Sequence, residues 1–399
     1  MAKKRVKEYY LMHKDIPVCL MELSDDGKLG NYRKNISAIE HFPLGGQLND
    51  MKFHDWWKDR AIPKTRNGAK SALQKLGYES TNSALVDNLA LSLSDCYWIQ
   101  PRGESLKWSD INLFTNDFVD TFGELTINQE QIIDLRNRTQ FNCAASQGEL
   151  QKKWCIDETG RRYMVKGNYG DSYQQSINEM FATELHTKQE FDNFTSYKGA
   201  KVTVQGGIEG LGCLSYDFCS ENKEIISAWE LLQTVKIRQN ESLYYPLKKV
   251  CINLGIKEEE FDRFMDYEIM TDYLMSNTDR HMNNIAVVRD PDTLKILGMA
   301  PIYDSGNSMF YNIPFEQLDL IHIDDIETHS FIKKEIRLLS YVKNRKMIDI
   351  DNTEMDFSIY KKDLFERHIR IPKLEELYNK KRMKLKSFQE GKNIWMKDY

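Results

Sequence analysis

A short polar stretch near the middle of the chain reads Ser276-Asn277-Thr278-Asp279-Arg280-His281-Met282-Asn283-Asn284, and further along comes Pro301-Ile302-Tyr303-Asp304-Ser305-Gly306. Between them lies what reads as a strand-turn-strand. An Asp, an Asn five positions on and a second Asp beyond a hairpin are the inventory of phosphoryl transfer. One carboxylate orients a hydroxyl nucleophile, while an amide oxygen and a second carboxylate hold magnesium against ATP. The apolar run Ile285-Ala286-Val287-Val288 follows Asn284 directly, and Ile302-Tyr303 directly precedes Asp304. Two strands there would pin the polar tips at one edge of a core.

Earlier in the chain, Arg162-Tyr163-Met164-Val165-Lys166 reads as a strand ending in a lysine, followed by a helical pattern that carries Glu179. Such a pair suits an ammonium that contacts the α- and β-phosphates and a glutamate that holds it in place. Each residue alone is unremarkable surface chemistry; the chain order Lys, Glu, Asp, Asn, Asp is what fits the template. Ala144-Ala145-Ser146-Gln147-Gly148 precedes the lysine strand, where small side chains let backbone N–H groups approach phosphate oxygens. His281 has two readings, a buttress of the catalytic loop or a proton carrier, and the first is preferred because this chemistry asks little of a histidine. Arg280 either offsets charge beside Asp279 or is exposed.

The elements that must position these residues follow from periodicity. Ser172 to Thr187 is helical, with Ile177, Met180, Phe181 and Leu185 on one face. Asp157-Glu158-Thr159-Gly160 is a hairpin turn, and Leu211–Leu214 is a strand that leads to Tyr216-Asp217-Phe218-Cys219. Glu258-Glu259-Glu260 opens a long helix that runs into the polar stretch, its acids at the positive end of the dipole. From Ala228 onward the pattern is mostly helical, and Tyr360 to Lys386 reads as a basic helix with a solvated charged face. Near the N-terminus, Val18–Leu23 reads as a strand entering the turn Asp25-Asp26-Gly27. Asp55 reads as the cap of a helix carrying Trp56, Trp57 and Arg60, and a second helix spans Gly68 to Gly77. Trp56, Trp57, Trp98 and Trp108 read as core or docking surface.

A chain of 399 residues predicts two or three domains. The composition shift around Thr121–Asn128 divides it into an α/β module over 1–125, a lobe over 126–225 with the phosphate loop, lysine and helix glutamate, and a mostly helical lobe over 226–399. Hydrophobic residues at 41% and charged residues at 29% are ordinary for a globular protein. A net charge of −5 gives no reason to expect a nucleic-acid or anionic-membrane partner. No apolar run is long enough to span a membrane, and no apolar stretch follows the basic start, so no secretory leader is expected. Seven scattered cysteines with no C-x-x-C pair predict free thiols and a reducing cytoplasm.

Taken together, Thr278-Asp279-Arg280-His281-x-x-Asn284 and Ile302-Tyr303-Asp304 resemble the catalytic loop and metal-binding segment of the HipA-type serine/threonine kinases, T-D-x-H-x-x-N and Y-D. Ser146-Gln147-Gly148-Glu149 is similar to that family's phosphate loop, and Lys166 and Glu179 fall at its ATP lysine and helix glutamate. The resemblance covers roughly residues 140–375. It implies a two-lobed α+β fold related to protein and phosphoinositide kinases, with an extra N-terminal α/β module of unknown role. It implies Asp279 as catalytic base, Asn284 and Asp304 as magnesium ligands, and Lys166 as the ATP contact. Adenine would meet a hinge at Asp217, Phe218 and Cys219, and phosphates would meet Ala145, Ser146, Gln147 and Gly148. The implied activity is transfer from ATP to a serine or threonine of a protein or of the chain itself, as the toxin of a toxin–antitoxin system with a separate antitoxin protein as partner. The loop departs from the family pattern at Gly148-Glu149, and Asn142 stands where characterised members carry an autophosphorylated serine. Two rival readings use the same residues: a lipid or small-molecule kinase, and a nucleotide-binding pseudokinase acting through its aromatic N-terminal module.

Overall fold

The computed structural model describes residues 6–127, 141–142, 150–169, 172–204, 208–362 and 369–395. The architecture is α+β, built on three separate sheets of three or four strands and a large helical body.

The N-terminal module is an antiparallel sheet of β1 (Val6–His13), β2 (Ile16–Ser24), β3 (Leu29–Lys34) and β4 (Tyr97–Pro101), in the order β3-β2-β1-β4. Cys19, Met21 and Leu23 of β2 alternate inward and, with Val18, join Leu11, Phe53 and Trp57 in its core. The turn after β2 needs glycine at position 27. Its φ is 75°, and a Cβ there would lie 2.5 Å from the Asn82 carbonyl oxygen. Helix α1 (Asp50–Arg60) begins earlier than expected: Asn49, not Asp55, is the cap, and its side chain accepts the Met51 N–H at 2.9 Å. Asp55 lies inside the helix. Helix α2 (Ala69–Leu76) is bounded by Gly68 and Gly77, both left-handed, as the spacing predicts. Trp57, Trp98 and Trp108 are buried.

The second sheet contains β5 (Lys152–Ile156), β6 (Arg162–Lys166), β7 (Tyr197–Val204) and β8 (Ile208–Tyr216), all antiparallel, in the order β5-β6-β8-β7. Helix α3 (Gln174–Lys188) packs on it. Its Ile177, Phe181 and Leu185 are fully buried. The third unit has a small sheet of β9 (Glu224–Ser227), β10 (Ala286–Arg289) and β11 (Ile296–Met299). Around it lie helices led by α4 (Glu258–Met275) and α5 (Arg370–Gln389). Ile302-Tyr303 forms no strand: Ile302 makes one isolated bridge to Phe194. The charged face expected on the basic tail helix is not wholly solvated. Lys381 of α5 is fully buried, with Nζ on Ser276 Oγ at 2.7 Å and on the Glu335 carboxylate.

Two expected boundaries fall inside or beside elements. The helix Thr121–Ile127 runs across position 125, and Glu224 and Ile225 pair with β10 of the helical body. Six cysteines lie among the described residues and all are free thiols, with Cys19, Cys96, Cys213 and Cys251 buried. Among those residues no helix is long and apolar enough to cross a membrane.

The N-terminal module is bolted to the helical body by buried charge. Glu224 accepts from His13 Nε2 at 3.2 Å, from Arg289 Nε at 2.7 Å and from the Cys96 N–H at 3.1 Å. Burial alone would raise its pKa, but the His13 hydrogen bond and the Arg289 guanidinium win and hold it down at about 2. A depressed folded value makes the carboxylate stabilising above its ordinary 4.5, and that contribution is lost as pH falls toward about 2. Glu224→Gln is expected to cost about 3–5 kcal/mol in denaturant unfolding at neutral pH, because it leaves Arg289 buried against an uncharged partner. The gap between variant and wild type should narrow in acid through the same window.

Candidate active site

Lys166 is the last residue of β6, paired with Lys152 on one side and Cys213 on the other. Its ammonium lies 3.0 Å from Glu179 Oε1, 3.0 Å from Tyr197 Oη and 3.1 Å from Asp304 Oδ1. Three side chains, from α3, from β7 and from the irregular segment at 304, thus meet on one nitrogen, Asp304 from 138 residues away. Lys166 and Glu179 are buried. Burial opposes charge on the lysine, yet the Asp304 and Glu179 carboxylates outweigh it and raise its pKa well above the ordinary value. Burial likewise pushes Glu179 up, with Lys166 pulling against it. Asp304 goes the other way. Burial would raise it, but Lys166 and then Lys152 hold it well below the usual carboxylate range.

Lys152 is a site residue that no local motif of the sequence marks. It pairs with Lys166 across β5 and β6, is buried, and feels both Asp304 and Lys166. Burial drops its pKa to about 8 despite the pull of Asp304. Its signal is the hairpin itself, because the turn at 157–160 sets β5 against β6 and brings Lys152 opposite Lys166.

Helix α3 does more than present Glu179. Its polar face grips the segment that follows Asp304. Glu179 Oε2 accepts the Ser305 N–H at 3.0 Å, and Asn178 Nδ2 donates to the Gly306 and Ser308 carbonyls, each at 2.7 Å. Gln174 Nε2 donates to the Met309 carbonyl and Gln175 Nε2 to Asn307 Oδ1, both at 2.7 Å. The segment needs this grip, because Asp304, Met309 and Phe310 all have left-handed φ of 51–60°.

The catalytic loop is held from the other side. Arg280 is buried, neither exposed nor a partner of Asp279. Its guanidinium forks onto Asp272 of α4 at 2.8 and 3.1 Å. It also donates to the Asn284 carbonyl at 3.1 Å, to the Tyr303 carbonyl and to Ser305 Oγ at 3.1 Å. One side chain therefore fixes Asn284 and the two neighbours of Asp304 together. Asn284 Nδ2 donates to the Asp279 carbonyl at 3.0 Å, which leaves its amide oxygen available. Asp279 Oδ2 accepts from Asn307 Nδ2 at 2.7 Å. His281 accepts the Asn283 N–H on Nδ1 at 3.2 Å and so shapes its own turn.

At the connection between lobes, Asp217 Oδ1 accepts the Cys219 N–H at 2.9 Å, and burial raises the Asp217 carboxyl to about 7. The Phe218 ring lies 5.9 Å from that of Tyr303, beside the Asp304 segment. The Cys219 side chain faces elsewhere: its Sγ lies 3.9 Å from the Ser94 carbonyl and it packs on the N-terminal core. Any adenine contact at 219 would have to use backbone. Ala145, Ser146, Gln147 and Gly148 lie outside the described residues.

Chemically, the arrangement offers two lysines for an anion and hard oxygen donors, from Asp304 and Asn284, of the kind magnesium takes alongside phosphate oxygens. A carboxylate, Asp279, stands beside them. The donor set fits a magnesium-bound nucleoside triphosphate.

No protein-family model matches the chain, and no curated protein matches it. In its fold the chain is similar to the Helicobacter pylori proinflammatory kinase CtkA, with a TM-score of 0.47 and 15% sequence identity over 62% of this chain and 92% of that one. A likeness at that level carries no weight for function here, which rests on the side chains.

Proposed function

We propose that the chain is an ATP-dependent phosphotransferase of the HipA type that transfers the γ-phosphoryl group to a serine or threonine hydroxyl of a protein. The observation that carries this reading is the meeting of Glu179 and Asp304 on the Lys166 ammonium at 3.0 and 3.1 Å. A buried lysine–glutamate pair with an aspartate on the same ammonium is the arrangement that the kinase template requires. Lys166, held by Glu179, contacts the α- and β-phosphates, and Lys152 adds positive charge on the same side. Asn284 and Asp304 would hold magnesium, which when bound neutralises charge on the phosphates. Asp279, oriented by Asn307, aligns the acceptor hydroxyl and takes its proton. The backbone at 217–219 faces the adenine. A protein acceptor and a toxin role come from the HipA resemblance.

Two measurements test this. ATP with magnesium should stabilise the wild-type fold by about 2.7 kcal/mol at a hundredfold excess over Kd. Asp304→Ala should keep its fold and lose the magnesium-dependent part of that shift; no shift in the wild type at millimolar nucleotide overturns the reading. With labelled ATP and a cell lysate, label on protein bands supports a protein kinase, whereas label confined to the lipid or small-molecule fraction assigns the chemistry to another acceptor.

A further inference from the structure

The two carboxylate oxygens of Asp279 are held differently. Oδ2 takes the 2.7 Å bond from Asn307, whose own side-chain oxygen is tied to Gln175 of α3 at 2.7 Å. That chain fixes the carboxylate in place. Oδ1 meets His329 Nδ1 at 3.4 Å. A carboxylate only accepts, so the imidazole Nδ1 is the donor.

His329 comes from a hairpin far along the chain. Its arms meet at the Glu327–Lys334 bridge, and Thr328 N–H donates to the Lys333 carbonyl at 2.8 Å. The hairpin is fastened to the catalytic loop at one atom, the Thr278 carbonyl oxygen, which accepts the His329 N–H at 2.9 Å and Thr328 Oγ1 at 3.1 Å. The backbone of His329 is thus fixed beside Asp279 while its side chain is 80% exposed. A contact at 3.4 Å to an exposed ring is at the weak end of hydrogen bonding and gives way easily. Oδ1 is therefore the lone-pair position that an incoming group can take without disturbing the carboxylate.

Resting on the phosphotransferase reading, we propose that the acceptor hydroxyl binds at Oδ1 of Asp279, in the place held by the His329 imidazole, and that His329 is a positioning residue which caps this oxygen until the hydroxyl displaces it. The hydroxyl oxygen then forms its bond to the γ-phosphorus. The bond from that phosphorus to the β,γ-bridging oxygen breaks with its electron pair left on ADP, and the hydroxyl proton passes to Oδ1. The loop around Thr328 and His329 becomes the wall of the acceptor subsite.

The test uses the full chain, magnesium and ATP, with water as acceptor. His329→Ala should raise the kcat of ATP hydrolysis about threefold, since a weak competing hydrogen bond is removed, and leave the KM for ATP unchanged. His329→Asn, whose side-chain amide reaches the same oxygen, should bring the rate back toward that of the wild type. A loss of activity in His329→Ala, or no change, overturns the cap. A wild type that neither binds nor hydrolyses ATP removes the phosphotransferase reading along with it. Hydrolysis that is lost in Asp279→Ala but unmoved by His329→Ala removes the cap alone.

Discussion

Asp279→Asn is expected to lower phosphoryl transfer by about 10²–10⁴-fold while leaving the affinity for magnesium and ATP within about twofold. The asparagine keeps the shape of the side chain but not a group that can take the hydroxyl proton. The surroundings should survive the change, because Oδ2 is held by a single amide from Asn307 and the loop itself is held through Arg280 and Asn284. The proposed nucleotide contacts, Lys166 and the Asp304 segment, do not depend on the Asp279 carboxylate. Rates from labelled ATP, set beside calorimetric titration of the nucleotide, separate the two effects. Full activity in the variant would mean that another group carries the proton or that the acceptor lies elsewhere.

The second large effect is expected at a residue that touches no substrate. Arg280→Met should destabilise the fold by about 3–5 kcal/mol and abolish transfer, because it strands the buried Asp272 carboxylate and unties Asn284 from the Tyr303 and Ser305 neighbours of Asp304. Arg280→Lys should keep part of the stability and little of the activity. An ammonium can answer Asp272 but cannot reach the Asn284, Tyr303 and Ser305 oxygens at once. Denaturant unfolding gives the first quantity and a single-turnover assay the second. A lysine variant with full activity would show that the guanidinium fork is dispensable.

Local features of the sequence were legible and distant ones were not. The Asp279–Asn284 spacing and the aspartate after Tyr303 can be read because loop and segment are each short and self-contained. Lys166 could be read because a strand that ends in a lysine before a helix is a local pattern. Arg280 could not: its partner Asp272 sits in what reads as the apolar run of a helix, and its other partners are carbonyl oxygens. The grip of Gln174, Gln175 and Asn178 on residues 306–309 was hidden for the same reason, since those amides look like solvated helix surface until the fold brings the segment beneath them. His329 carries no motif at all. Asp55 reads as a cap because a capping side chain precedes apolar residues there, but Asn49 takes the extended cap geometry and the helix begins at Asp50. Ile302 reads as a strand because it is apolar and directly precedes the polar tip; it is buried by packing, with a single bridge to Phe194.

The N-terminal module touches both halves of the molecule. On one side it holds Glu224 through His13 and the Cys96 N–H. On the other, the Asp120 carboxylate accepts the Trp154 N–H of β5 at 2.8 Å, and Arg162 of β6 reaches back to the Leu113 and Asn116 carbonyls at 2.9 and 2.8 Å. A third body riveted to both restrains how far the lysine sheet and the helical body can shift against each other. That restraint is only as firm as the weaker rivet, so loosening Glu224 should let the Lys166 strand shift against Asp304, the contact on which the proposed nucleotide site depends.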